Sequence, residues 1–172
     1  MKLFGTCCNY WCEWCWFSCN ITPAIEEKWI RDRTDYKVND IIEFSNKYYD
    51  VDDLTAGPAS GSYKNNIMVI IPCSMKTLAA IANGYADNLI TRAADVIIKE
   101  RRKLILVVRE SPFSAIHLEN MLKLSRLGVV IAPPNPSYYM KPQSIKELNE
   151  YFVGRILDHI DVDSGIKRWG DK

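Results

Sequence analysis

The chain has 172 residues, a length that suits one compact domain with a single core. Hydrophobic residues make up 48%, charged residues 25%, and the formal net charge is +1. That balance offers no global field for nucleic acid or an anionic membrane surface, and no apolar run approaches the roughly 18 residues needed to cross a bilayer, so a soluble, cytoplasmic protein is expected.

Five of the six cysteines fall in the first 19 residues: Cys7, Cys8, Cys12, Cys15 and Cys19, with Cys73 far away. A disulfide framework spreads over the domain it staples. The C-x-x-C pair at Cys12 and Cys15 has no second spaced pair or histidine to complete a zinc site. The segment also lacks the basic start and small-residue cleavage site of a signal peptide. Residues 1–33, dense in Cys and Trp and then charged from Glu26 to Arg33, therefore read as an aberrant N-terminal segment. Residues 34–160 read as regular α/β sequence, and 161–172 as a tail.

Within that regular part, Ile67–Ile71 is a β-branched run of the kind found in buried parallel strands, ending at Pro72. A helix is predicted over Lys76–Asn83, closed by Gly84, and a second over Asn88–Arg101. Lys103–Val108 is another strand. Ser114–Leu127 has Ile116, Leu118, Met121, Leu122 and Leu124 at helical spacing and stops at Gly128. Val129–Ala132 is a third strand. Pro133–Pro142 is a loop with four prolines, and Ile145–Ile160 a final amphipathic helix. Alternating strands and helices argue for a parallel sheet covered on both faces, with right-handed crossovers.

In such a sheet, ligands bind outside the carboxyl ends of the strands. After the first run come Ser74, Met75, Lys76 and Thr77, a turn leading straight into a helix. Its hydroxyls and free amide N–H groups suit an anion, or Ser74 is a plain N-cap. After the second come Arg109 and Glu110; an arginine ending a buried strand is costly unless it is ion-paired or faces a ligand. After the third, prolines stiffen a loop that presents Tyr138 and Tyr139, or the loop simply covers a sheet edge. On the intervening helix, Arg92 and Lys99 share a face with Asp95 placed to hold both; Arg155 on the last helix carries the same ambiguity between ligand and solvated charge. His117 and His159 read as structural. The whole is a phosphate-directed pocket without a metal cluster or a Ser-His-Asp set.

These residues carry a resemblance. Pro58-Ala59-Ser60-Gly61-Ser62, PCSMKTLAAIANGYADNLITRAAD (Pro72–Asp95), KERRKL (Lys99–Leu104), RESPFSAIHLENMLKL (Arg109–Leu124) and Gly154-Arg155-Ile156-Leu157 resemble the UbiX-type flavin prenyltransferases over roughly residues 48–160. The flavin-dependent cysteine decarboxylases share the fold but not the PCSMKT and KERR signatures. The resemblance implies a flavodoxin-like, Rossmann-type three-layer sandwich with a parallel sheet, and a large homo-oligomer, dodecameric in the family. It implies that reduced FMN is alkylated by dimethylallyl monophosphate, first at the flavin N5 and then at C6, without metal. It implies that the prenylated FMN serves UbiD-type decarboxylases; the UbiX-type proteins themselves have also been called aromatic-acid carboxy-lyases. By position, Ser74, Met75, Lys76, Thr77 and Arg109 match FMN contacts. Lys99, Tyr139 and Arg155 match prenyl-phosphate ligands with Arg92 close by, and Glu110 is a candidate for proton handling.

The N-terminus departs from the family pattern. The phosphate-binding turn G-A-S-G and its βα unit are not seen, and Arg33 stands where a glutamate precedes Thr34-Asp35. Back-translating Asn9–Trp16 and shifting by one base yields a pattern containing I-T-G-A-S-G, which points to a shifted frame, with some deletion, over about the first 20 residues or as far as Arg33. Besides an active prenyltransferase, two alternatives therefore stand: an inactive or FMN-binding-only homologue from a disrupted frame, and a non-catalytic subunit of an aromatic-acid decarboxylase.

Overall fold

The β-branched run is the middle of a sheet. In the computed structural model, which describes residues 3–6, 19–21, 39, 45–168 and 170, strand β4 spans Ile67–Cys73 and pairs in parallel with β5, Lys103–Val108. From Leu104 to Val108 no β5 residue is more than 2% exposed, so this strand is covered on both faces, as its unbroken apolar sequence requires. Strand β4 runs two residues past its expected end. Pro72 lies inside it, at a cis Ile71–Pro72 bond, where the pairing register shifts between Ile70 and Cys73. A proline has no N–H for the ladder and is tolerated at such irregularities. Strand β6 is confined to Val130–Ile131.

Three further strands complete the sheet: β1, Leu3–Thr6; β2, Cys19–Ile21; and β3, Ser45–Tyr48. The order is β3-β2-β1-β4-β5-β6, and every pair is parallel. The strand of the βα unit that the sequence pattern does not show is thus present: β1 fills a central position between β2 and β4. Strands of three or four residues are too short to show a period of two, which is why the sequence pattern hides them. Residues 7–18, where the G-A-S-G turn and the Cys12–Cys15 pair were sought, and Arg33 with Thr34 and Asp35 lie outside the described residues.

Helices α1 (Met75–Ala82), α2 (Leu89–Lys99) and α3 (Ala115–Arg126) begin at Ser74, Asn88 and Ser114, each of whose side chains accepts a backbone N–H one turn on. Gly84 and Gly128 follow the C-caps of α1 and α3 with φ of +67° and +86°, the left-handed step that glycine makes without penalty. Leu78, Leu89 and Leu124, all 0% exposed, seat the three helices in a core with Met68, Ile70, Leu104 and Leu106.

The chain divides into two units, Met1–Pro133 and Pro134–Lys172. The second contains a 3-10 turn at Tyr138–Met140 and helix α4, Ile145–His159. The expected tail folds back on this helix: a Cβ on Gly154 would collide with the side chain of Ile166. No helix among the described residues is long and apolar enough to cross a membrane.

Candidate functional site

The strand order reverses direction between β1 and β4, and ligands of open α/β sheets bind at the carboxyl ends of strands flanking such a switch point. The segment leaving β4 there is Ser74-Met75-Lys76-Thr77. Ser74, extended at φ −73° and ψ 158°, caps α1: its Oγ accepts from Thr77 N at 3.2 Å and shares a hydrogen bond with Thr77 Oγ1 at 3.1 Å. The first amide groups of the helix have no intrahelical acceptor and point outward with the positive end of the helix dipole. Ser74 and Lys76 are exposed and Thr77 half-buried. The donor set of two hydroxyls, free amides and one ammonium fits an anionic group such as a flavin phosphate.

Arg109 stands beside this turn. Cys73 is in register with Val108, and the Arg109 N–H donates to the Cys73 carbonyl at 3.3 Å. Strand spacing alone places the two segments about 4.8 Å apart. The Arg109 side chain is exposed and makes no ion pair among the described residues. The alternative of an Arg109–glutamate pair is thus not realised there: the Glu110 carboxylate accepts instead from Ser111 N at 3.0 Å. Cys73 takes no part as a nucleophile. It is 0% exposed, burial pushes its thiol up to about 12, and its S–H points to the Ser74 carbonyl.

Arg92 and Lys99 are not held together by Asp95. Arg92 pairs with Asp95 at 3.1 Å and donates through Nε to the Ala59 carbonyl at 3.2 Å. Lys99 turns instead to Glu100, at 2.6 Å. The adjacent carboxylate reaches the ammonium without spanning a helical turn. Lys99 ends α2 just before β5, at the amino ends of the strands, whereas Ser74 and Arg109 lie at the carboxyl ends. The seven residues of β4 separate the two levels by about 20 Å. Within one chain, Lys99 and the β4–α1 turn are therefore not brought together.

In the second unit, Tyr139 and Arg155 each have local partners. The hydroxyls of Tyr139 and Tyr151 are 3.2 Å apart, with the rings edge to face at 86°. Hydrogen bonds from Tyr151 and then Ser137, aided by the charge of Arg155, hold the Tyr139 phenol below the ordinary tyrosine range; the same bond pushes Tyr151 up. Arg155 pairs with Asp158 at 2.8 Å, and Arg168 meets the same carboxylate at 3.0 Å. Hydrogen bonding from Arg168 and then Arg155 holds the Asp158 carboxyl below its usual range.

Sequence reasoning gave no role to Arg102. Its guanidinium donates to the carbonyls of Gly61 at 2.7 Å and Tyr63 at 2.9 Å, fastening the segment that leads into β4. The KERR run was the visible signal, but its partners are backbone atoms that no side-chain pattern reveals.

The sequence pattern of the Flavoprotein family matches residues 15–157. The chain is 49% identical over 145 residues to the flavin prenyltransferase UbiX of Methanocaldococcus jannaschii, covering 84% of this chain and 79% of the relative. Its fold superposes on AnUbiX (PadA1), crystallised with FMN and dimethylallyl pyrophosphate, with a TM-score of 0.91 and 38% identity over 99% of this chain and 97% of the other. It also superposes on a dodecameric FMN-dependent UbiX-like decarboxylase from Escherichia coli O157:H7, with a TM-score of 0.90 and 37% identity over 99% and 100%. With that identity carried along most of its length and the same parallel sheet beneath it, the chain belongs to the UbiX-type flavin prenyltransferase family.

Proposed function

We propose that this chain transfers a dimethylallyl group from dimethylallyl monophosphate to reduced FMN, and that the product serves a UbiD-type decarboxylase. The observation that carries the reading is the β4–α1 turn at the switch point, with the Ser74 and Thr77 hydroxyls and helix amides beside the exposed guanidinium of Arg109, which makes no ion pair among the described residues. Ser74, Met75, Lys76, Thr77 and Arg109 bind FMN in this reading. Reduced FMN, when bound, supplies the nucleophile. The residues of the chain orient it and hold the second substrate. Arg92, Lys99, Tyr139 and Arg155 carry the charge that builds on the phosphate as the prenyl C–O bond breaks, and Glu110 handles the proton released.

The separation between Lys99 and the β4–α1 turn bears on the assembly. One copy cannot present both to a single five-carbon substrate, so the reading requires a homo-oligomer in which Lys99 of one copy approaches the flavin end of another. The exposure of two leucines on α3, Leu118 at 53% and Leu122 at 51%, one helical turn apart, supports association through that face.

The direct test is mass spectrometry of the flavin after anaerobic incubation with reduced FMN and dimethylallyl monophosphate. A flavin heavier by one five-carbon unit is expected. Unmodified FMN beside a working homologue defeats the reading and favours an FMN-binding-only protein.

A further inference from the structure

The surroundings of Lys99 are built around it. Its ammonium lies 2.6 Å from Glu100 Oε1 and is otherwise well exposed. The second oxygen of Glu100 is 4.0 Å from the guanidinium of Arg102, a side chain only 19% exposed. Arg102 in turn holds the carbonyls of Gly61 and Tyr63, and Arg92, two turns earlier on α2, holds that of Ala59. Two guanidiniums thus fix segment 57–63 along α2 through three carbonyls. The segment closes tightly over the ion pair: a Cβ on Gly61 would stand 2.5 Å from Glu100 Oε1 and 3.1 Å from Lys99 Nζ.

We propose that Glu100 and Arg102 are positioning residues for Lys99: Glu100 fixes the ammonium, and Arg102 fixes both Glu100 and the loop that covers it. The inference rests on the reading that Lys99 meets the prenyl phosphate. A free lysine samples many rotamers and loses that freedom on gripping an anion; a lysine already held binds without that loss. Its ammonium has three donors, so one bond to Glu100 leaves two for phosphate oxygens. Lys99 and Arg102 together outweigh the single charge of Glu100, so the cluster stays attractive to an anion. Hydrogen bonding from Lys99 keeps the Glu100 carboxyl below its ordinary range and hence ionised.

The test is calorimetric titration of dimethylallyl monophosphate into the full chain loaded with oxidised FMN, where no turnover intrudes, with FMN affinity measured separately. Lys99→Met and Glu100→Ala are each expected to weaken prenyl-phosphate binding, the latter about five- to tenfold, with FMN affinity unchanged. In the double variant, Glu100→Ala adds nothing to Lys99→Met, because its effect runs through Lys99. Arg102→Lys keeps the charge but not the planar fork and gives an intermediate loss. Binding that is unchanged or tighter in Glu100→Ala while Lys99→Met is weakened overturns the inference, as do additive losses in the double variant. Unchanged binding in Lys99→Met overturns the reading of Lys99 itself, and the inference with it.

Discussion

The backbone N–H of Arg109 donates to the carbonyl of Cys73 at 3.3 Å, so the residue after β5 is tied to the last residue of β4. This bond holds the exposed guanidinium beside the α1 N-terminus without using any of its side-chain donors. Arg109→Ala should therefore leave the fold intact and weaken FMN binding about ten- to a hundredfold, as expected when a hydrogen bond to a charged group is lost. Arg109→Lys should recover part of that affinity. Fluorescence titration of FMN reads both variants; full affinity in Arg109→Ala would remove the residue from the flavin site.

Ser74 has two roles that substitution can separate. As an N-cap it contributes about 1 kcal/mol against alanine but only a few tenths against glycine. Ser74→Gly should then melt near the native temperature, whereas Ser74→Ala melts lower. If the hydroxyl also meets the ligand, both variants lose FMN affinity equally. A loss confined to Ser74→Ala would reduce Ser74 to a cap.

How much of this was legible in the sequence depended on length and on the kind of partner. Strands β4 and β5 announced themselves because burial on both faces demands an unbroken apolar run, and α1 to α3 because Ser74, Asn88, Gly84 and Gly128 punctuate them. Strands β1 to β3 did not, since three or four residues hold no period and their place is set by pairing with β4. The residues of the β4–α1 turn and Arg109 were found together because both follow strands that pair. Lys99 was found by its spacing from Arg92 and given a phosphate role by resemblance, yet its distance from the turn follows from topology: a crossover helix returns the chain to the amino ends of the strands. Arg102 escaped because its partners are the carbonyls of Gly61 and Tyr63.

The exposed leucines of α3 give the assembly reading a surface to test. Leu118 and Leu122 lie on the flank of the helix opposite the wholly buried Leu124. Replacing both by glutamate should lower the particle mass measured by light scattering, with little change in the melting of the fold, since neither side chain reaches the core. An undiminished mass would place the contact between copies elsewhere.

Asp158 links acid stability to the second unit. Arg168 and then Arg155 lower its folded-state carboxyl relative to the unfolded chain. The stabilisation is therefore present above the unfolded value of about 4 and is lost as pH falls through the folded one. Asp158→Asn should flatten the decline of the melting temperature below about pH 4 while lowering it modestly at neutral pH. An acid decline identical to that of the native chain would locate the responsible carboxylates elsewhere.

Tyr139 predicts an alkaline limit to the reaction. A neutral phenol donates a hydrogen bond to phosphate, whereas a phenolate repels it, so kcat/KM should fall as pH rises through the ionisation of Tyr139. The hydrogen bond from Tyr151 foremost, then Ser137 and the charge of Arg155, bring that ionisation below the ordinary tyrosine value of about 10. Tyr139→Phe should lower kcat/KM at neutral pH and abolish the limb. Tyr151→Phe, which removes the largest of these influences while leaving Tyr139 in place, should move the limb upward. Because the two hydroxyls share one hydrogen bond, the upward movement in Tyr151→Phe is the decisive reading. A limb that persists in Tyr139→Phe belongs to another group and would take Tyr139 out of the phosphate site.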